Sequence, residues 1–233
     1  MNIVPAIDLI DGNNVRLSQG DYDKKTAMKR APEEALRFYQ SFDSVSRIHI
    51  VDLMGALHQE SKESNLVSHL RSLSSKPLEI GGGLRSLEMI EKYHEMGVDY
   101  FILGTRAIVD IPWLKDITLK FPRKIFVGVD ARENDIYING WTENSGITID
   151  EYLKQIENLE LAGVIYTDIN KDGMGLGPNF LNTERINHLT KHKVVASGGV
   201  RDKRDLDRLE SLGITEAIVG KASHKDEFWE DIT

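Results

Sequence analysis

Short runs of aliphatic and β-branched residues alternate along the chain with longer amphipathic segments. The short runs lie at Ile3–Ile7, Arg47–Leu53, Leu78–Gly81, Tyr100–Leu103, Lys124–Val129, Gly163–Thr167, Lys193–Ala196 and Glu216–Val219. Most are near-continuous apolar stretches, the pattern of strands covered on both faces in a parallel sheet. Between them lie predicted helices. One starts at Pro32-Glu33-Glu34, where proline suits the first helical position and acids suit the first turn. Ser86 to Met96 and Asp202 to Leu212 end at Gly97 and Gly213, where a left-handed C-cap is expected. Pro112 to Phe121, Thr148 to Leu161 and Thr183 to His192 complete the set. Strand and helix alternating eight times in 233 residues predict an α/β chain folded as a (β/α)₈ TIM barrel. An open doubly wound sheet is the alternative. Its glycine fingerprint would follow the first strand, where this chain has AIDLIDG instead.

The chain also resembles itself. At an offset of 116 residues, the segment beginning at Ile80 lies without gaps over the one beginning at Ala196. Gly82 then meets Gly198, Gly83 meets Gly199, Arg85 meets Arg201, and Gly104 meets Gly220. The offset is half the chain, so two half-barrels are expected, about 1–115 and 116–233, within one barrel domain. Glycines placed after a strand and before a helix let backbone N–H groups reach an anion. Gly82, Gly83 and Gly104-Thr105 form one expected phosphate cradle, and Gly198, Gly199 and Gly220-Lys221 form the other. Two cradles flanking one mouth predict a small-molecule substrate with a phosphate at each end.

Polar residues at the C-terminal ends of barrel strands face the mouth. Asp8 follows the first strand and Asp130 the fifth, half a barrel away. Opposed carboxylates suit general acid–base work, one taking a proton while the other gives one. Asp172 is a third candidate or a turn residue beside Gly173, and Thr167 stands ready to position a carboxylate or a hydroxyl. Asp52 and Asp168 read equally as functional acids or loop anchors. His49 sits inside the second strand, and Trp141 offers a face to a planar ring or packs on the rim. Asp8 to Ala31 and Asp130 to Ile147 read as long loops that act as lids.

Composition narrows the class. The net charge of −8 argues against nucleic acid and a polybasic membrane surface as partners. The absence of cysteine excludes disulfides, thiolate metal sites and a cysteine nucleophile. The histidines show no metal-ligand spacing, so no metal is implied. No G-x-S-x-G elbow supports a serine triad. No signal-peptide pattern or membrane span is legible, so a cytoplasmic location is expected by default. No exposed heptad or apolar stripe argues against a monomer.

The segments PAIDLIDGNNVRLSQGDY, HIVDLMGA, EIGGGLRS, ILGTRA, VGVDAR, GWTENSG, TDINKDGMGLGPN, ASGGVR and IVGKA are together specific. They span nearly the whole chain, which resembles the HisA family of histidine-biosynthesis isomerases. The resemblance implies a barrel with half-barrel symmetry, no metal or organic cofactor, and an Amadori rearrangement of a bisphosphorylated ribotide. It implies Asp8 as proton acceptor, Asp130 or Asp172 as proton donor, and Thr167 as support. Substrate and phosphate contacts are expected from Arg16, Gln19, Gly20, His49, Gly82, Gly83, Arg85, Gly104, Thr105, Trp141, Gly173, Gly175, Gly198, Gly199, Gly220 and Lys221. The related cyclase family HisF has CLD and RVVKG where this chain has Ala6-Ile7-Asp8 and RLSQGDY, which favours the isomerase pattern. A dual-specificity relative that also takes phosphoribosylanthranilate, and a non-catalytic phosphate binder, are the other readings. The binder would keep the glycines and lose the acids. Ser223-His224-Lys225 and Lys221 depart from the isomerase pattern at the last cradle.

Overall fold

The computed structural model describes residues 1–18, 21–58 and 60–232, and the side chain of residue 18 is not described. Its strands are β1 (Asn2–Ile10), β2 (Asn13–Ser18), β3 (Asp21–Ala27), β4 (Ile48–Asp52), β5 (Leu78–Gly81) and β6 (Tyr100–Leu103). They continue with β7 (Ile125–Arg132), β8 (Asp135–Ile138), β9 (Glu143–Thr148), β10 (Gly163–Asp168), β11 (Val194–Ser197) and β12 (Glu216–Val219). Parallel pairing runs β1-β4-β5-β6-β7-β10-β11-β12, and β12 returns to β1. The result is a closed eight-stranded parallel barrel ringed by helices, a TIM barrel.

The eight expected strands are the eight barrel strands. Leu78–Gly81, Tyr100–Leu103 and Glu216–Val219 have the expected bounds. The helix caps also follow the sequence. Ser86 accepts from the Met89 amide at 3.2 Å, and Gly97 and Gly213 take φ of 84° and 83°. The helix expected from Thr148 to Leu161 is Ile149–Ile156. The apolar pattern runs on because Leu159 and Leu161 pack in the turn beyond it. The helix expected from Thr183 begins at Phe180, since the Asn179 side chain caps it through the Asn182 amide.

The two segments read as long loops are corrected. Each continues its barrel strand outward as an antiparallel β extension. β1 pairs with β2 and β2 with β3, while β7 pairs with β8 and β8 with β9. The first turn is Asp11-Gly12, with φ of 49° and 77°. Positive φ at both central residues marks the tight hairpin turn whose twist matches its flanking strands.

Alternation along each strand sorts side chains between two regions. Ile3 and Leu9 face the helices, while Val4 and Ala6 join Phe126, Ile165, Val195 and Ile218 in a separate cluster inside the barrel. The same two-residue step carries Val4 and Ala6 on to Asp8, and Phe126 and Gly128 on to Asp130. At the N-terminal end, Arg47 donates to Glu79 and Glu216, and its guanidinium lies 4.5 Å from the centroid of the Phe126 ring. All three charged groups are buried.

Removing one partner of a buried ion pair strands the other charge, at a cost of about 3–5 kcal/mol. Arg47→Leu takes the guanidinium from two buried carboxylates and, among the described residues, leaves them only His49 Nδ1 and Lys193 Nζ as side-chain partners. Its unfolding free energy, from a urea titration, is expected to fall by about that amount. A loss below roughly 1 kcal/mol is the surface-pair outcome and would contradict this burial argument.

Candidate active site

At the C-terminal ends of the strands the barrel opens into a cavity of about 710 Å³. Asp8 and Asp130 both line it, carried by strands half a turn of the barrel apart. Each is held by a residue from the hairpin that extends its own strand. Arg16 Nη1 donates to Asp8 Oδ2 at 3.1 Å, and the Trp141 indole Nε1 donates to Asp130 Oδ2 at 2.8 Å. Arg16 also reaches Asp172 through Nη2, at 2.9 and 3.1 Å. Arg16 therefore ties the carboxylates of Asp8 and Asp172 together. Trp141 sits at φ 70°, a left-handed backbone that a bulky residue rarely adopts.

Burial pushes the Asp8 carboxyl above the ordinary aspartate range, with the Arg16 charge opposing it. Burial also raises Asp130, against the hydrogen bonds from Trp141 and Thr167. Burial acts to lower Arg16, but Asp172 and Asp8 more than offset it and keep the guanidinium charged. A buried carboxyl with a raised pKa is a stronger base near neutral pH and a better-poised acid.

The glycine-bearing strand ends stand on both sides of these acids. Gly82, Gly83, Gly104 and Thr105 line one side of the cavity, and Gly198, Gly199, Gly220 and Lys221 line the other. Gly83 and Gly199 have φ of 74° and 87°, and neither position has room for a side chain. A Cβ on Gly199 would lie 2.5 Å from the Gly177 carbonyl, and one on Gly83 would collide with the Gly55 carbonyl. The two halves match here, because each glycine lies against the segment that follows the preceding strand, the helical turn at Gly55 in one half and the loop at Gly177 in the other. Asp52 and Asp168 hold those segments. Asp52 accepts from the amides of Gly55, Lys62 and Glu63, and Asp168 from the Asn170 amide and the Asn179 side chain. Neither lines the cavity, so both are loop anchors.

Thr167, His49, Arg85, Gly173 and Gly175 line the cavity. Gln19 and Gly20 lie outside the described residues. The arginines equivalent by sequence are not equivalent in contacts. Arg85 donates to Asn139 Oδ1 at 3.3 Å, whereas Arg201 is clamped by Asp205 through Nε at 2.9 Å and Nη2 at 2.7 Å. Asn139 is a site residue that the sequence reading missed. Its amide donates to Thr105 Oγ1 at 3.0 Å, which ties the second hairpin to the first cradle. The Asn139-Gly140 pair is itself a hairpin-turn signal.

The model of the histidine biosynthesis protein family matches residues 2–229. The chain belongs to that family. It is thus a histidine-biosynthesis enzyme of the HisA/HisF kind, and phosphorylated pathway intermediates are the substrates the family implies. In this histidine-biosynthesis enzyme no helix of the described residues is long and apolar enough to cross a membrane.

The raised acids give a pH test. A carboxyl whose folded-state pKa is raised adds stability at low pH, and that stability is lost as pH rises through the folded value. At neutral pH the Asp130 charge is therefore a burden. Asp130→Asn keeps an acceptor for Trp141 and is expected to raise Tm at pH 7, by roughly 2–4 °C per kcal/mol relieved. The gain should vanish once the pH falls below the ordinary aspartate range. An equal or lower Tm at pH 7 in a calorimetric scan is the contrary result.

Proposed function

We propose that the chain is a ProFAR isomerase, which converts the aminoaldose ProFAR to the aminoketose PRFAR. One observation carries this reading: two carboxyls of raised pKa, Asp8 and Asp130, oppose each other in a cavity that has a glycine-lined cradle on each side. The cradles suit the two terminal phosphates, which backbone amides bind whatever the net charge. Arg85 and Lys221 add cations at the two ends.

A substrate held at both ends places its amino-sugar carbons over the middle of the cavity. The acid protonates the ring oxygen, and the ring opens to a protonated imine. Asp8 then removes the proton from the carbon next to the anomeric carbon, leaving an enaminol. Return of a proton to the anomeric carbon and loss of the hydroxyl proton give the ketose, with no net gain or loss of atoms. Asp130 is the donor we favour, because the Trp141 indole and the Thr167 side chain fix its direction. Asp172 is the alternative donor, and its hydrogen bonds to Arg16 tie it to Asp8 rather than to Asp130. Arg16 holds Asp8 through one oxygen, Oδ2. Its guanidinium already lies against Gly220 in the second cradle, so an arriving phosphate competes for it.

The test is to incubate the protein with ProFAR in metal-free buffer and to couple the product to the cyclase with ammonia. Phosphoribosylanthranilate is offered in parallel. Turnover of ProFAR is expected, and turnover of both substrates would mark a dual-specificity enzyme. Asp8→Asn should lower kcat by roughly 10²–10⁴-fold, the scale of general acid–base catalysis. A folded wild-type protein that leaves ProFAR untouched would sink the isomerase reading.

A further inference from the structure

A chain of charged groups climbs from the N-terminal floor of the barrel to the cavity. It begins at Lys193, whose Nζ donates to Glu216 Oε1 at 3.0 Å. Glu216 also accepts from Arg47, and Arg47 Nε donates to Glu79 Oε2. The other oxygen of Glu79, Oε1, lies 2.6 Å from His49 Nδ1. Strand geometry explains the climb. Arg47 and His49 are two residues apart, so both point inward, and His49 stands one step nearer the mouth. In the sheet His49 is in register with Glu79 on β5 and with Ala6 on β1.

The chemistry of the links fixes where the hydrogens sit. Glu79 is wholly buried, and burial alone would raise its carboxyl. Arg47 and then His49 overcome that and hold it below the ordinary glutamate range. It is therefore a carboxylate, which accepts hydrogen bonds and has no hydrogen to give. The hydrogen between the two residues must belong to His49 Nδ1. His49 lines the cavity and Glu79 does not, so the opposite ring nitrogen, Nε2, turns toward the cavity. Nε2 has no hydrogen-bond partner among the described residues. The ring shares the cavity with both Asp8 and Asp130.

We propose that Glu79 is a positioning residue. It locks His49 with its hydrogen on Nδ1, so that Nε2 accepts a hydrogen bond from a substrate sugar hydroxyl on the cavity floor. The identity of that hydroxyl rests on the isomerase reading. The hydroxyl that becomes the ketone oxygen sits on the carbon from which Asp8 takes its proton, so one acceptor beside Asp8 aligns both bonds. Arg47 completes the lock by occupying the second oxygen of Glu79, which leaves that carboxylate one direction in which to hold the imidazole.

The first measurement is free of turnover. Protein labelled with ¹⁵N-histidine has seven imidazoles, and His49→Gln identifies the signal of His49. At mildly alkaline pH the ring is expected to carry its hydrogen on Nδ1 in the wild type and to lose that preference in Glu79→Gln. A hydrogen found on Nε2 in the wild type would overturn the proposal. The second measurement is kinetic. His49→Gln and Glu79→Gln are each expected to lower kcat/KM for ProFAR about tenfold or more, the order of one lost buried hydrogen bond. The double variant should be no worse than the poorer single variant, because the two act as one unit. Glu79→Asp, which keeps the charge, should recover part of the loss. Additive losses, or full activity in His49→Gln, would also overturn the proposal. If Glu79→Gln does not fold, the wild-type ring signal and the His49→Gln kinetics still decide it. A wild-type protein inactive on ProFAR counts against the isomerase reading alone, because the ring signal is read without substrate.

Discussion

Closure of the sheet, through β7 with β10 and β12 with β1, leaves the eight parallel strands without an edge. Every inward side chain then faces only other inward side chains or the cavity at the mouth. With one face of each strand turned to the helices, the two-residue period admits little choice. Floor positions must be apolar or mutually paired, and mouth positions are free to be polar. The paired solution here is Arg47 between Glu79 and Glu216, and the apolar one is the cluster of Val4, Phe126 and Ile218 against which Arg47 lies. The acids come at the top of the same columns of residues. Their place is a consequence of closure and register rather than of loop conformation, and strands hold a reactive group more rigidly than loops do.

The site runs against stability in a specific way. Two carboxylates, Asp8 buried and Asp130 half-buried, stand where charge is disfavoured, and one bulky residue, Trp141, is held at positive φ. Such strain persists only where the surrounding structure over-determines it. Here the determinants are the hydrogen bond from Trp141 to Asp130 and the hairpin that carries Trp141, itself tied to Thr105 through Asn139. Burial makes the acids useful and costly by one mechanism, since the environment that raises a proton affinity also penalises the charge.

Much of this was legible in the sequence, and the parts that were not share a cause. Barrel strands announce themselves as apolar runs, and Gly83 and Gly199 of the 116-residue repeat mark backbone approaches that no side chain tolerates. The acids were legible because strand ends in a barrel have a fixed direction. What misled was exposure. β3 and β9 are mostly polar and half or fully exposed, so they lack the burial that writes a pattern into a strand. Their evidence lay instead in turn chemistry, at Asp11-Gly12 and Asn139-Gly140. Roles set by a distant partner were also hidden. Arg16 is a candidate ligand in sequence, and only the fold shows it bridging Asp8 to Asp172, which lies 156 positions beyond it in the chain. Glu79 gives no hint of His49 until β4 and β5 are laid side by side.

Each hairpin returns to the strand it left, and this has a bearing on how the enzyme is assembled. Asp8 and Arg16 are separated by 8 positions, and Asp130 and Trp141 by 11. Loops this short close quickly and at small entropic cost. Each acid has its hydrogen-bond partner within its own strand and hairpin, a contact local in sequence. Each acid and its hydrogen-bond partner form a cassette of contiguous chain, and a strand transplanted with its hairpin into another barrel carries that partner along with it, while the burial that raises the acid must come from the new barrel.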